Sequence, residues 1–225
     1  MRIGLIGDTH LPSLMRSLDE LGPDTANALR GVDLLLHAGD VTAPTVLDWC
    51  AQFADLLVAE GNNDIFQDPR MQERHFLDVG GLRIGMAHEL RPESRPIPEI
   101  LASALGGEQV DILIGGDTHV ERIEFRDGVL LVNPGSPNLP HHLSTRLGTV
   151  AILEITAGRV RAEVLALGPS EGLRNPCHAQ HVVVAGGRVV EASLAGQSLT
   201  PEEFLLTPRD RAHLVHERLA AVNAR

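Results

Sequence analysis

The sequence predicts a layered α/β domain built on a mixed sheet or on two packed sheets. Three observations carry this reading. Short apolar runs alternate with amphipathic stretches in the first half of the chain, and the second half becomes a meander of strands. Polar clusters recur just after apolar strands, which is where open α/β sheets collect their sites. At 225 residues, 43% of them hydrophobic, the chain is long enough for one large core or for a domain with an extension.

The elements follow in order. "RIGLIG" (2–7) reads as a buried strand. "DTANALR" (24–30) reads as a short helix with Asp24 as its N-cap. "VDLLLHAGD" (32–40) is a strand running into a loop, and "APTVLDWCAQF" (43–53) has helical spacing with Pro44 in its first turn. "DLLVAEGNND" (55–64) is again a strand, entering a Gly/Asn loop. "HFLDVGGLRIGMAH" (75–88) is a hairpin turning at Gly80-Gly81. "IPEILASALGG" (97–107) is a helix closed by glycine, and "VDILIGGDTH" (110–119) a strand ending in a polar loop. "ERIEFRDGVLLVNPGS" (121–136) turns at Asp127-Gly128, a type I′ signal. Residues 148–155 and 159–167 form a further hairpin around Ala157-Gly158.

Composition shifts near Gly168. The expectation is a main domain over 1–167 and a C-terminal extension over 168–225, in which "GPSEGLRNPCHAQ" is a linker and "HVVVAGGRVV" (181–190) a hairpin. "TPRDRAHLVHERLAAVNA" (207–224) is a terminal helix, with Thr207 as N-cap, Pro208 at the first helical position and Asp210 as capping-box partner. Ala212, Val215, Leu219 and Val222 fall on one face, expected to pack on the domain or on a second subunit of a homo-oligomer.

Bulk properties exclude several classes. The net charge is −11 and every basic residue is an arginine, which argues against a nucleic-acid-binding surface. No apolar stretch approaches the ~18 residues of a membrane span. The apolar core of "MRIGLIGDTH" is too short for a secretory leader, so a cytoplasmic location is expected. Cys50 and Cys177 read as two reduced thiols.

The tetrapeptide "GDTH" occurs twice, at 7–10 and at 116–119, without similar flanks, so duplication is rejected. Five segments offer metal-ligand side chains at strand ends: Asp8-x-His10, Gly39-Asp40, Gly61-Asn62-Asn63-Asp64, His88, and Asp117-x-His119. Asp and His two residues apart in an extended turn can aim at one ion. An Asp on a tight Gly-Asp turn can bridge two, and Asn supplies a neutral oxygen. Mixed oxygen and nitrogen ligation suits Mn²⁺, Fe or Zn²⁺ better than Ca²⁺ or an all-thiolate site.

In this order and at compatible spacing, "GDTH", "HAGD", "GNND", "GMAH", "GGDTH" and "NPGS" resemble the calcineurin-like metallophosphoesterases, in particular their small bacterial and archaeal phosphodiesterases. The resemblance covers residues 1 to about 167. It implies a four-layer αββα sandwich of two mixed β-sheets flanked by helices. It also implies two divalent metal ions, Mn²⁺ first, with Fe, Zn²⁺ or Ni²⁺ as alternatives. Asp8, His10 and His119 would hold the first ion, Asn62, His88 and Asp117 the second, and Asp40 would bridge them. The implied activity is a phosphodiesterase acting on a small phosphoester, in which a metal-bridging hydroxide attacks phosphorus in line. The family also contains protein-binding scaffolds with impaired metal sites, which gives the alternative reading.

Three departures from the family pattern bear on catalysis. Asp117 stands in place of a histidine, and three carboxylates against two divalent ions leave about +1, one unit less than usual. Asn63, at the position of a catalytic histidine, can hydrogen-bond a phosphoryl oxygen but cannot protonate a leaving alkoxide. That forfeits roughly 10²–10⁴-fold. Glu89 replaces a glycine and adds negative charge. His37 and Asp64 are expected beside the ligands, His37 orienting the Asp40 carboxylate and Asp64 holding Asn62 or Asn63. "PNLPHHLSTR" (137–146) offers Arg146 for phosphate contact, with His141 and His142 read as a solvated loop. Asn133–Ser136 reads as a structural turn, and "CHAQH" (177–181) as linker rather than a metal clip.

Overall fold

The computed structural model describes residues 1–10, 18–142, 148–167 and 178–223. Its elements in chain order are β1 (Arg2–Ile6), α1 (Gly22–Leu29), β2 (Leu34–His37), α2 (Pro44–Cys50), β3 (Asp55–Ala59), β4 (Met71–Gln72), β5 (Arg74–Val79) and β6 (Leu82–Ala87). Then come α3 (Ile97–Ala104), β7 (Ile112–Ile114), β8 (Arg122–Arg126), β9 (Val129–Asn133), β10 (Thr149–Thr156) and β11 (Arg159–Ala166). The chain continues through β12 (Gln180–Ala185), β13 (Arg188–Leu194), β14 (Gln197–Leu199), α4 (Pro201–Phe204) and α5 (Pro208–Asn223).

The strands form two mixed sheets. A nine-stranded sheet has the order β14-β13-β12-β11-β10-β1-β2-β3-β4, and a five-stranded sheet the order β5-β6-β7-β9-β8. Strands β1 to β4 run parallel in the first sheet, and β6, β7 and β9 run parallel in the second. All other pairings are antiparallel.

Three separate apolar clusters define four layers. Alternate residues of β1 split between two of them: Ile3 and Leu5 face the other sheet, while Ile6 faces the helices. The cluster between the sheets joins Ile3, Leu5 and Leu36 to Ile84, Ile114 and Val132. A second cluster packs Leu29, Val46, Leu47 and Cys50 of α1 and α2 on the outer face of the large sheet. A third packs Ile97, Ile100, Leu101 and Ala104 of α3 on Leu113 and Leu131 of the small one. This is the αββα sandwich that the resemblance implies.

Hairpin turns fall where expected, at Gly80-Gly81, Asp127-Gly128 and Ala157-Gly158, and the backbone of Asp127 and Gly128 is left-handed at φ 50° and 80°. Three expectations need correction. Asp24 is not an N-cap: α1 starts two residues earlier, fed directly by a 3₁₀ turn over Leu18–Leu21, and Asp24 sits in its first turn. In α5 the Thr207–Asp210 cap forms as expected, but the inward face is Arg211, Leu214 and Val215, while Ala212 and Leu219 are exposed. The reason is Arg211, whose buried guanidinium donates to the carbonyls of Phe204 and Ile123 at 2.9 Å each. Strands β4 and β14 and helix α4 have no counterpart in the sequence reading. Gln180 belongs to β12 rather than to the linker, and His181, where the expected hairpin begins, is bonded to Glu191 and Ser193. Cys177 and residues 168–176 lie outside the described residues.

Candidate metal centre

The site is a consequence of strand register. Ile6, His37 and Val58 lie side by side across β1, β2 and β3, and Met86, Ile114 and Val132 across β6, β7 and β9. These parallel strands therefore release their next residues along a common edge of the sandwich. Those residues are Asp8 and His10, Asp40, Asn62 and Asn63, His88, and Asp117 and His119. The two "GDTH" segments, 109 positions apart, meet here. The second also donates to the first: the Asp117 backbone N–H reaches both Asp8 carboxylate oxygens, at 3.0 and 3.1 Å.

The loops are bent sharply. Asp8, His10, Asp40, Asp117 and His119 all have left-handed backbone, with φ of 53°, 48°, 55°, 69° and 57°. Each such residue costs on the order of 1–2 kcal/mol and persists only where surrounding structure fixes it. Cross-loop hydrogen bonds supply that fixing: Asp8 N–H to Gly39 O at 2.9 Å, His10 N–H to Asp40 O at 3.1 Å, and Ser136 Oγ to Asp8 O at 2.8 Å. Two glycines make the crowding possible. A Cβ on Gly39 would lie 2.5 Å from His88 Nδ1, and one on Gly61 would lie 2.1 Å from Asp40 N.

The side chains converge on Asp40. Its carboxylate lies 3.3 Å from His10 Nε2 and 3.4 Å from His88 Nε2. Asn63 donates to it twice, through its backbone N–H at 2.9 Å and its Nδ2 at 2.7 Å. Further pairs are His10 Nε2 to His119 Nε2 at 3.0 Å, His88 Nε2 to Asn62 Oδ1 at 3.1 Å, His119 Nε2 to Asp8 at 3.7 Å and His88 Nε2 to Asp117 at 3.9 Å. His88 Nδ1 lies 2.7 Å from Ala38 O, and His119 Nδ1 lies 2.9 Å from Leu139 O. A carbonyl only accepts, so both Nδ1 atoms carry protons, and both Nε2 atoms are turned toward the cluster, where a metal could replace whatever proton they carry.

Electrostatics agree. Burial holds the Asp8 carboxyl well above its ordinary value and also raises Asp117, against the pull of His88 and Arg91. Burial works against charge on His88 too, yet the Asp40 hydrogen bond and the charges of Asp8 and Asp40 raise it to about 9. Asp40 is lowered, because His88 and the Asn63 donors outweigh its burial. Burial lowers His10, and takes His119 down to about 4. Three buried carboxyl groups packed against imidazoles, two of which burial holds toward the neutral form, make a cluster suited to cations.

The donors fit divalent ions. Asp8, His10 and His119, and again Asp8, Asp40 and His88, present ligand atoms all within 4.8 Å of one another. Donors to one ion at about 2.1 Å stand about 3.0–3.4 Å apart, close to the spacings here. Asp40 reaches both groups, as the resemblance implies for a bridge. Asp8 also reaches both, where the resemblance gave it to the first ion alone.

Around this cluster the structure sorts the remaining expectations. His37 does not touch the Asp40 carboxylate. It accepts the Gly39 N–H at Nδ1 and bonds Thr9 Oγ1 through Nε2, so it holds the two turns rather than the ligand. Asp64 likewise holds neither Asn62 nor Asn63; it clamps the Thr42 and Gly61 N–H groups at 2.7 and 2.9 Å. Asn133 is a buried structural turn residue, its Nδ2 on Gly116 O. His141 pairs with Glu121, but His142 stacks on His119 at 4.0 Å and lines the cleft, so it is part of the site rather than of a solvated loop. Arg146 lies outside the described residues.

Sequence reasoning missed Arg91. Its Nη2 donates to Asp117 Oδ1 at 2.6 Å and its Nε pairs with Asp117 Oδ2, while Glu89 lies 3.9 Å away. This cation offsets the extra carboxylate that replaces a histidine. The only sequence signal is an arginine three positions after the strand-end His88. A cleft of about 510 Å³ is lined by His10, Asp40, Asn63, Arg91, Asp117 and His142. An adjoining cavity of about 520 Å³ is lined by Asn62, His88, Glu89, Arg91, Arg95 and Ser103.

Comparison with known proteins places this geometry. A probable metallophosphoesterase of Methanothermobacter thermautotrophicus is 32% identical over 170 residues, 75% of this chain and 94% of its own length. A phosphodiesterase of Methanocaldococcus jannaschii is 23% identical over 150 residues, 60% of this chain and 83% of its own length. Among solved structures, Vps29 from Entamoeba histolytica complexed with zinc shares the fold, with a TM-score of 0.63 at 24% identity over 82% of this chain and 98% of its own. The calcineurin-like phosphoesterase superfamily domain matches residues 1–158, which contain every candidate ligand. By its sequence match, its two-sheet fold and a buried Asp/His cluster suited to divalent metal, the chain belongs to the calcineurin-like phosphoesterase superfamily.

Proposed function

We propose that the protein is a metal-dependent phosphoesterase that prefers diesters or activated aryl esters. Asp8, His10 and His119 would hold one divalent ion, Asn62, His88 and Asp117 a second, with Asp40 shared, and Mn²⁺ is the proposed metal. When bound, the pair would supply Lewis acidity and a water-derived nucleophile. The chain's own residues do the rest. The carbonyls of Ala38 and Leu139 keep His88 and His119 in the ligating tautomer. Asn63, on the cleft wall with its amide aimed at Asp40, is positioned to donate to a phosphoryl oxygen. It has no proton to give a leaving alkoxide, which favours leaving groups that need none. Arg91 keeps a guanidinium at the cleft mouth.

The observation that carries this reading is the buried Asp40 carboxylate within 3.4 Å of imidazoles from two different sheets. The test assays Mn²⁺-loaded protein on bis-aryl and mono-aryl phosphates, alongside Asp40→Ala. Diester turnover should exceed monoester turnover and fall at least about 10³-fold in the variant. Faster monoester turnover removes the diester preference, and unchanged diester turnover in Asp40→Ala removes the proposed mechanism.

A second reading, a protein-binding scaffold on this fold, is favoured by one observation: Arg91 already occupies Asp117. A scaffold would show neither tight metal binding nor an Asp40-dependent esterase rate.

A further inference from the structure

Asp117 and Arg91 pose a conflict that can be resolved in one way. The Asp117 side chain is 5% exposed and the Arg91 side chain 55% exposed. Arg91 Nη2 donates to Asp117 Oδ1 at 2.6 Å, and Arg91 Nε lies in ion-pair contact with Oδ2, which accepts no hydrogen bond. Those oxygens are also the ones a cation beside His88, Asn62 and Asp40 would need. A guanidinium seated against the carboxylate occupies the space a second cation would need, and a divalent ion repels the guanidinium directly.

The loop beneath Arg91 is fixed, so the choice lies in its side chain. Arg95 Nη2 donates to Arg91 O at 2.7 Å, Arg126 Nη1 to Arg95 O at 2.9 Å, and Arg122 pairs with Glu93 at 2.7 Å. Swung off Asp117, the guanidinium stays at the boundary of the two cavities it lines. A planar fork there matches two oxygens of a phosphate.

We propose that Arg91 caps Asp117 against the second cation, and that a phosphate group in the cleft draws Arg91 away, so that phosphate and the second cation bind cooperatively. This deepens the phosphoesterase reading and rests on it. It makes Arg91 a positioning residue whose work is to couple metal occupancy to substrate. Linkage requires reciprocity: phosphate tightens the second ion by the same factor as the second ion tightens phosphate.

The experiment is Mn²⁺ binding to metal-stripped protein, followed by calorimetry or electron paramagnetic resonance, with and without inorganic phosphate. The unmodified protein should show one tight and one weak step, and phosphate should tighten the weak step by roughly 5- to 150-fold, the usual range of such coupling. In Arg91→Ala the second step should be tight without phosphate, and phosphate should tighten it by a smaller factor than in the unmodified protein. Asp117→His gives an independent route, since an imidazole cannot hold the guanidinium, and it should also bind the second ion without phosphate. The inference is overturned if Arg91→Ala leaves the second step as weak as before, or if phosphate tightens it there by as large a factor as in the unmodified protein. A protein that binds two Mn²⁺ in this coupled way but hydrolyses no phosphoester would fail the function while keeping the cap. One that hydrolyses diesters with two equally tight, phosphate-independent steps would do the reverse.

Discussion

Burial holds His37 neutral: its ring is fully enclosed between Thr9 and the Gly39 amide, and its pKa is lowered to about 3. The unfolded chain takes up this proton below about 6.5 and the folded chain refuses it. The contribution of His37 to stability is therefore complete above pH 6.5 and is lost as pH falls toward 3, by up to about 1.4 kcal/mol per pH unit. Asparagine at this position can still accept the Gly39 N–H but does not titrate. His37→Asn should cost about 1–2 kcal/mol at pH 7, and the gap to the unmodified protein should close or invert by pH 5. Urea unfolding of metal-stripped protein at the two pH values measures this; an equal gap at both would refute it. At this scale the sequence is legible where short motifs fix short loops, since Asp8, Asp40 and His119 sit on turns whose residue types declare them. Arg91 is not legible, because its meeting with Asp117 depends on the path of a loop that no local pattern specifies. His37 and Asp64 are seen to matter, yet their partners turn out to be backbone N–H groups and a threonine hydroxyl rather than ligands.

Among the elements, those stated by local chemistry are the readable ones. Hairpins turning at Asp127-Gly128 and Gly80-Gly81 need left-handed backbone, and the α5 cap needs the Thr207 hydroxyl and the Asp210 carboxylate. The orientation of α5 is not readable, because apolar periodicity has no means of scoring a buried arginine. Arg211 is 3% exposed, stacks over Phe204 at 4.4 Å and donates to two backbone carbonyls; burial lowers it to about 10. Its methylenes and ring stacking bury as much as a large apolar side chain would. Two substitutions should therefore reverse the order that periodicity suggests. Arg211→Ala should destabilise by about 2–4 kcal/mol, since it leaves a cavity and two unsatisfied carbonyls. Ala212→Gln, on the face expected to be buried, should change stability by less than about 0.5 kcal/mol. Paired urea titrations decide, and comparable losses in both would return α5 to the orientation read from its apolar positions.

For the whole molecule the question is what the C-terminal strands contribute. No helix among the described residues is long and apolar enough to cross a membrane. The motifs and the family match end before residue 168, which makes the remainder look dispensable from the sequence. The packing says otherwise. β12 pairs with β11 from Val164–Gln180 to Arg159–Ala185, and β13 and β14 extend the same sheet. Of the 26 described residues in the cluster between the sheets, eight come from this region: Val182, Val184, Val189, Ala192, Leu194, Leu199, Phe204 and Val215. At about 1.5–3 kcal/mol for each large apolar side chain, their burial rivals the ~5–15 kcal/mol total stability of an ordinary domain. Removing residues 168–225 would also leave β11 as a long, unpaired edge, a template for association. A chain ending at Leu167, although it retains all seven candidate metal ligands, should self-associate on size exclusion. It should also lose its cooperative urea transition, and it should bind Mn²⁺ only as far as it folds. A monomeric truncated chain with an unchanged unfolding midpoint would mean that the two sheets hold together without those eight residues, and that the large sheet properly ends at β11.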